Sequence, residues 1–251
     1  MGEKPPVGPL RLDSSGIDRP AAAAVLLSVA SGFVDAFVFV RVYAVFTANQ
    51  SGNLVLAGIA VGQGRWLEAL APTLSLLGYV AGATAGVLLF DRGGEGGRRF
   101  VETVVAELAA LAALATAMAA TDVGRDGTGR TGPLVLTLVV AVAATMGLQS
   151  VALRSAGGVA LLTTAGTGNV TSLGVSLARI RDPNTRRPAI AAAGVLAAVV
   201  TAYIGGAVLG AGTAHLSDAG PVLLVIPLLV VAATLALEAW PRAGAPAWRR
   251  R

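Results

Sequence analysis

The chain has 251 residues, of which 55% are hydrophobic and 13% charged, and its mean hydropathy is +0.72. This composition lies outside that of soluble domains and is typical of an integral membrane protein. The chain has no cysteine, which excludes disulfides and thiolate metal sites. The arginines behind the net charge of +5 lie in short polar breaks between apolar runs, which argues against a nucleic-acid surface and favours charges that orient the chain in a bilayer.

Residues 1–20 are polar and proline-rich and lack the order of a cleavable signal, so we predict a disordered cytoplasmic tail. A single transmembrane domain is predicted over 21–240, followed by a basic C-terminal tail over 241–251. A helix needs about 20 residues to cross about 30 Å of hydrocarbon, and six of the apolar runs fit that length. The runs cover 21–40, 43–63, 67–90, 100–120, 132–153, 155–178, 188–212 and 220–240.

The other two runs, 43–63 and 155–178, contain polar interruptions, "FTANQSGNLVLAG" and "LTTAGTGNVTSLG". Backbone that is not helical cannot face lipid, because each unpaired N–H or C=O group costs several kcal/mol. Each interruption is therefore predicted to be buried or to line a cavity, and a short helix should follow it. Ser51 and Thr167 are the expected N-caps, and the glycines after them, Gly52 and Gly168, are expected to take strained backbone.

An internal repeat organises the chain. Gly52 recurs as Gly168, a shift of 116 residues (168 − 52), and "YVAGATAG" from Tyr79 resembles "YIGGAVLG" from Tyr203. Upstream of the interruptions, "GFVD" from Gly32 aligns with "GLQS" from Gly147. These matched segments predict a duplication, with repeat 1 over 21–120 and repeat 2 over 132–240.

The second copy can be parallel to the first or inverted. If all eight runs cross the bilayer, equivalent loops lie on the same side; if the two interrupted runs enter and return, the second copy is inverted. The loop 91–99 holds three arginines and its counterpart 211–220 none, whereas 179–187 holds four and its counterpart one. This opposite bias favours an inverted all-α bundle of six full spans plus two re-entrant or broken helices, with both termini cytoplasmic.

These residues resemble the YoaK-type family of bacterial inner-membrane proteins, a domain family of unknown function. The resemblance extends over 21–240 and is carried by the two interruptions with their lead-ins "GFVD" and "GLQS". It implies a multi-pass protein of the bacterial inner membrane, and it implies no substrate. The chain departs from the family pattern at Ser51, where the family has Thr, and at Ser150, where it usually has Asn.

The paired interruptions predict a binding site near the bilayer midplane, since the N–H groups and positive dipole ends of two short helices would face one volume. Asp35 lies within the first span and is expected to face the protein interior, with Gln149 as its counterpart in the repeat. In the alternative interpretation, the motifs only cap helices and Asp35 is a structural hydrogen-bond partner. The candidate substrate-binding residues are Asp35, Thr47, Asn49, Ser51, Gly52, Asn53, Gln149, Thr163, Thr164, Thr167, Gly168 and Asn169.

Asp35 and Glu107 are the candidates for proton coupling, although Glu107 could instead approach the headgroups together with Glu102. His215 is the only histidine and lies in a predicted loop without a ligand set, so we expect no metal site and no cofactor. Two small-residue pairs are predicted to allow close helix packing. These pairs are Gly82 with Gly86 and Gly206 with Gly210.

A channel or secondary transporter for a small solute explains the duplication and the paired short helices. Half-helix N-termini favour an anion and Asp35 favours a proton or cation, so proton-coupled movement is one form of this hypothesis. A non-transporting scaffold or partner protein is the alternative, since small-residue surfaces also suit assembly into a homo-oligomer. An intramembrane enzyme is least favoured, because no nucleophile with a base is available. The expected partners are the lipid bilayer and a small molecule or ion, and no nucleic acid.

The loop charges predict that 91–99 and 179–187 are cytoplasmic and that 211–220 lies outside. Single cysteines in these loops can be labelled with a membrane-impermeant reagent, and the natural chain contributes no background. Labelling of 91–99 from the outside contradicts the six-span arrangement.

Overall fold

The computed structural model describes residues 19–91, 96–120, 132–157, 166–214 and 225–239. These residues form eight α-helices and one π-helical turn, and no strand occurs among them, as predicted for an all-α bundle. The helices are α1 (Arg19–Phe37), continued by the π turn (Val38–Val42), α2 (Gln50–Gly62), α3 (Trp66–Asp91), α4 (Gly96–Ala120), α5 (Pro133–Gly157), α6 (Thr167–Arg179), α7 (Arg186–Ala214) and α8 (Val225–Ala239).

Five stretches of the described helices are long and apolar enough to cross a membrane. Helices α2 and α6 have 13 residues each and reach only about 20 Å, which is too short for a full span. The apolar part of α8 within the described residues, Val225–Thr234, is also shorter than a span. The membrane class is therefore confirmed. The candidate spans are Ala21–Val42, Trp66–Leu89, Phe100–Ala120, Pro133–Ala152 and Arg186–Ala214.

Helix α1 is the most enclosed of the spans, and α7 packs along it at backbone contact distance. A Cβ atom on Gly206 would lie 2.1 Å from the carbonyl oxygen of Val29, and one on Gly210 would lie 2.2 Å from that of Phe33. Only glycine permits so close an approach. Because the residue numbers at successive contacts increase along both helices, α1 and α7 run parallel.

Helices α3 and α5 form a second interface of the same kind. A Cβ atom on Gly82 would lie 1.8 Å from the carbonyl oxygen of Ala144, and one on Gly86 would lie 3.0 Å from the Val151 side chain. These helices also run parallel. Ala144 follows Val29 by 115 residues (144 − 29), so α5 occupies in the second half the position that α1 has in the first. Each half thus packs its first span against the third helix of the other half, and all four predicted packing glycines lie in these internal interfaces.

The close approach at Gly206 can be tested against its neighbour Gly205, which has nothing within 4 Å of a built Cβ atom. Gly206→Ala should destabilise the bundle by about 1–3 kcal/mol, because the methyl group forces α1 and α7 apart. Gly205→Ala should be neutral or stabilising by up to about 1 kcal/mol, because it restricts the unfolded chain. Thermal unfolding in one detergent compares the two, and equal effects would contradict the proposed packing.

Candidate functional site

The segment between the π turn and α2 folds back onto α1, where the carboxylate of Asp35 accepts hydrogen bonds from the backbone of the segment. Oδ1 accepts hydrogen bonds from the backbone N–H of Thr47 (2.6 Å) and Ala48 (2.7 Å) and from the Thr47 hydroxyl (3.0 Å). Oδ2 accepts from the backbone N–H of Asn49 (2.9 Å) and from the Tyr203 hydroxyl on α7 (2.6 Å). Asp35 is 2% exposed, and both of its oxygens are occupied by protein donors. The carboxylate therefore satisfies three consecutive N–H groups that no helix satisfies.

Asn53, on the first turn of α2, forms hydrogen bonds to the same segment from the side opposite Asp35. Its Oδ1 accepts from the Phe46 N–H (2.9 Å), and its Nδ2 donates to the Phe46 carbonyl (2.6 Å). Nδ2 also lies within hydrogen-bond distance of Gln50 Oε1 and Ser75 Oγ, and the Ser75 hydroxyl donates to the Phe46 carbonyl (2.7 Å). Asn53 thus offers Phe46 a donor and an acceptor as a neighbouring strand would, at a fully buried position.

The expected N-caps are wrong in both halves. Asn49 caps α2, with its side-chain oxygen accepting from the Gly52 N–H (3.4 Å) and the Ser51 hydroxyl (2.7 Å), so the helix begins before Ser51. Asp35 fixes the Asn49 N–H and thereby sets where α2 starts. In the second half, Gly166 is the N-cap without a side-chain hydrogen bond, and Thr167 is the first helical residue.

The expected backbone strain at Gly52 and Gly168 is also wrong, because both glycines lie within helices. Among the described residues, the one glycine with positive φ is Gly64, at 72°, in the turn after α2. Gly52 is instead constrained by a ring, since a Cβ atom there would lie 2.7 Å from the Phe46 side chain. Phe46 in turn stacks on Phe39 of the π turn, with ring centroids 4.8 Å apart.

Helix α2 begins beside Asp35, about 10 Å before the end of the first span at Val42. Its later residues, Ile59 and Ala60, lie beside the π turn at that same end. A tight turn at 63–65 then leads into α3, and Ser75 of α3 meets Asn53 of α2 across this turn. Helices α2 and α3 are therefore antiparallel. Helix α2 runs back toward the end of the bundle where the π turn lies and where the segment 43–49 begins.

A cavity of about 350 Å³ lies at this end, between the π turn, α2 and the start of α3. Its apolar walls come from the π turn and α2, and four polar residues line it: Arg41, Tyr43, Arg65 and Glu68. Arg41 Nη1 donates to the carbonyl of Ala214 at the end of α7 (3.0 Å), and Arg65 forms a salt bridge with Glu68. This cavity was not predicted from the sequence, in which Arg41 at the end of an apolar run was the available signal.

The second half repeats part of this network. Tyr79 donates to the Ser150 hydroxyl (2.8 Å) as Tyr203 donates to Asp35. Ser150, and not Gln149, is thus the counterpart of Asp35, and the predicted pairing was wrong by one residue. Gln149 is fully buried and accepts a long hydrogen bond from Ser31 (3.5 Å) where α1 meets α5.

Asn169 is buried like its counterpart Asn53, whereas Gly168 is exposed. Thr163 and Thr164 lie outside the described residues, as does His215. The structure therefore brings together the candidate residues of the first half around one folded segment. For the second half it describes the helix that follows the interruption.

Glu107 lies apart from this segment, on α4, and is fully buried. Neither of its carboxyl oxygens has a hydrogen-bond partner among the described residues. The two acids considered for proton coupling thus differ sharply, since Asp35 is saturated with donors. No group of three or more His, Asp or Glu residues within the described ranges is arranged to hold a metal ion.

We expect Asp35→Asn to destabilise the folded segment by at least about 3 kcal/mol. The NH2 group of the asparagine would face N–H and O–H donors, with which it cannot form a hydrogen bond. Tyr203→Phe removes one of the five hydrogen bonds and should have a smaller effect. Unfolding in detergent and proteolysis within 43–49 measure both variants, with Glu102→Gln, an exposed acid on α4, as the control. If Asp35→Asn unfolds like the control, the carboxylate does not hold the segment.

The family model described as "Protein of unknown function (DUF1275)" matches residues 23–237. The UPF0700 transmembrane protein YoaK of Bacillus subtilis (strain 168) is 31% identical over 67 residues, which cover 27% of this chain and 30% of that protein. The match thus spans less than a third of this relative's length. No solved structure matches the chain. Because the family model covers most of the chain, the protein belongs to the DUF1275 family of transmembrane proteins of unknown function, to which the YoaK-type resemblance pointed.

Proposed function

We propose that this protein is a transporter or channel for a small solute in the bacterial inner membrane. The observation that carries the proposal is the interrupted segment 43–49, whose backbone is bound by Asp35 at membrane depth beside a cavity. Irregular backbone is tolerated at that depth where it is buried in protein or lines a water-filled path, and such segments recur at the binding sites of transporters.

The helix directions support an inverted duplication. Helix α2 returns to the end of the bundle where the first span finished, so α3 runs antiparallel to α1. Helix α5 is parallel to α3 and is the counterpart of α1, so the two equivalent helices run in opposite directions. This arrangement, with α2 and α6 as re-entrant helices and both termini in the cytoplasm, is the one on which alternating access is commonly built.

The solute position that we propose is the cavity beside the π turn. The N–H groups of the first interruption are occupied by Asp35 and Asn49, so they are not free to bind a solute directly. Arg41 and Arg65 add positive charge to the cavity, and the salt bridge to Glu68 offsets part of it. One net positive charge with apolar walls suits a small anion or the electron-rich end of a neutral solute.

The scaffold alternative loses its main support. The small-residue surfaces on which it relied, at Gly82, Gly86, Gly206 and Gly210, contact helices of the same chain. They are therefore already used within the bundle. Flux across a membrane separates the two hypotheses.

Filling the cavity should block flux. Ile59 lines the cavity and is 48% exposed, so Ile59→Trp can be accommodated without disrupting the core, whereas Val55 on the same helix is 60% exposed and does not line it. In proteoliposomes, we expect the wild type to pass at least one of chloride, acetate, lactate, glycerol or glycine. Ile59→Trp should lose most of that flux and Val55→Trp should retain it.

Stopped-flow light scattering follows glycerol, and radiolabelled uptake follows the other solutes, against protein-free liposomes. Equal flux in Ile59→Trp and Val55→Trp would remove the cavity from the path. Absence of flux for every solute, in protein shown to be folded, would contradict transport of these classes and return the scaffold hypothesis to first place.

A further inference from the structure

Glu107 lies within the candidate span Phe100–Ala120, about 10 Å along the helix from Phe100. It is fully buried, and neither carboxyl oxygen has a hydrogen-bond partner among the described residues. Buried polar groups are nearly always hydrogen-bonded, so each exception in a folded protein needs an explanation. Burying a carboxyl group at such a position costs more free energy than burying a leucine side chain, which would also fill the space.

The elements packed against α4 are α5, α8 and α3. Their described side chains over Pro133–Ala152 and Val225–Thr234 include no ionisable group. On α3, Glu68 pairs with Arg65 and the Tyr79 hydroxyl bonds to Ser150. On α4 itself, Glu102 is exposed. The side chains of the other charged residues on these helices lie outside the described part; they are Asp91, Arg98, Arg99, Arg154 and Glu238.

No described cation or donor therefore stabilises an ionised Glu107 in this packing. A carboxylate so enclosed would have lost its water without gaining a partner, and such groups become neutral instead. Asp35 is the opposite case, since five protein donors hold its oxygens. A carboxylate held by five donors serves as an anchor, whereas a carboxyl group without a described partner can gain or lose a proton once water reaches it.

We propose that Glu107, and not Asp35, is the proton-binding site of this bundle and carries the proton that is coupled to solute movement. The packed conformation holds the neutral carboxylic acid. Release of the proton to water leaves a carboxylate, which requires that water reach α4, so ionisation and opening of the contacts of α4 with α5 and α8 occur together. The coupling rests on the proposed transport function, whereas proton binding at Glu107 does not.

Infrared spectroscopy of the reconstituted protein tests proton binding directly. At neutral pH, we expect a carbonyl band from a protonated carboxylic acid that Glu107→Gln removes. Glu102→Gln, on the same helix but exposed, should leave this band unchanged, and so should Asp35→Asn where it folds. A spectrum that Glu107→Gln does not alter would overturn the proposal, whatever the flux assays show.

Opening can be followed with a single cysteine in place of Leu111, which is fully buried one turn from Glu107. We expect labelling by a small maleimide to increase with pH beyond the increase seen in the denatured protein, and Glu107→Gln should abolish this excess. Equal pH dependence in both backgrounds would overturn the switch. Glu107→Met removes a polar group that has no hydrogen-bond partner among the described residues, so it should unfold at the same or a higher temperature and should also lack the excess. A failure of Glu107→Gln to fold therefore leaves the test intact.

Flux then separates the two proposals. If any probe solute crosses, its flux should depend on the pH gradient in the wild type and in Glu102→Gln but not in Glu107→Gln. Flux that responds equally to the gradient in all three proteins would overturn coupling at Glu107 while transport stands. Infrared and labelling effects without any flux would overturn transport of the probes while proton binding stands.

Discussion

Unsatisfied backbone at membrane depth is the constraint on which the rest of this structure depends. Once the first span ends at Val42, the chain turns back into the bundle with seven residues that are not helical, and most of their backbone groups need partners from elsewhere in the bundle. Asp35 and Asn53 resolve this problem from opposite sides, one with a carboxylate for three consecutive N–H groups and one with an amide that matches both groups of Phe46. Their positions decide where α2 begins and in which direction it runs.

The anchor also depends on the second half of the chain. Tyr203, on α7, completes the coordination of Asp35, and it can reach the carboxylate because glycines bring α7 into backbone contact with α1. The corresponding contact between Tyr79 and Ser150 lies between α3 and α5. The first span of each half is thus held by the third helix of the other half. A motion that shifts one half relative to the other must act on these two interfaces.

The sequence was sufficient for the membrane class, the family and the close-packing glycines, because hydropathy and small-residue spacing act locally. It was not sufficient for the role of Asp35, since the donors around it come from a folded-back segment and from a helix 168 residues away. Ser51 looked like a cap by residue type, but tertiary contacts of Asn49 set the start of α2 two residues earlier. Gln149 was misassigned although the aligned lead-ins "GFVD" and "GLQS" already place Ser150 opposite Asp35. Whether Glu107 is buried could not be predicted either, since it depends on which face of α4 meets its neighbours.

We infer that α2 enters the membrane and returns, so that the second half is inverted. The most direct test compares single cysteines at Gln63, in the turn after α2, and at Asn184, in the turn before α7; both positions are exposed. In cells or oriented vesicles, an impermeant maleimide should label one position from one side and the other only from the opposite side. Labelling of both positions from the same side would mean that α2 and its segment cross the membrane completely, and it would contradict this account.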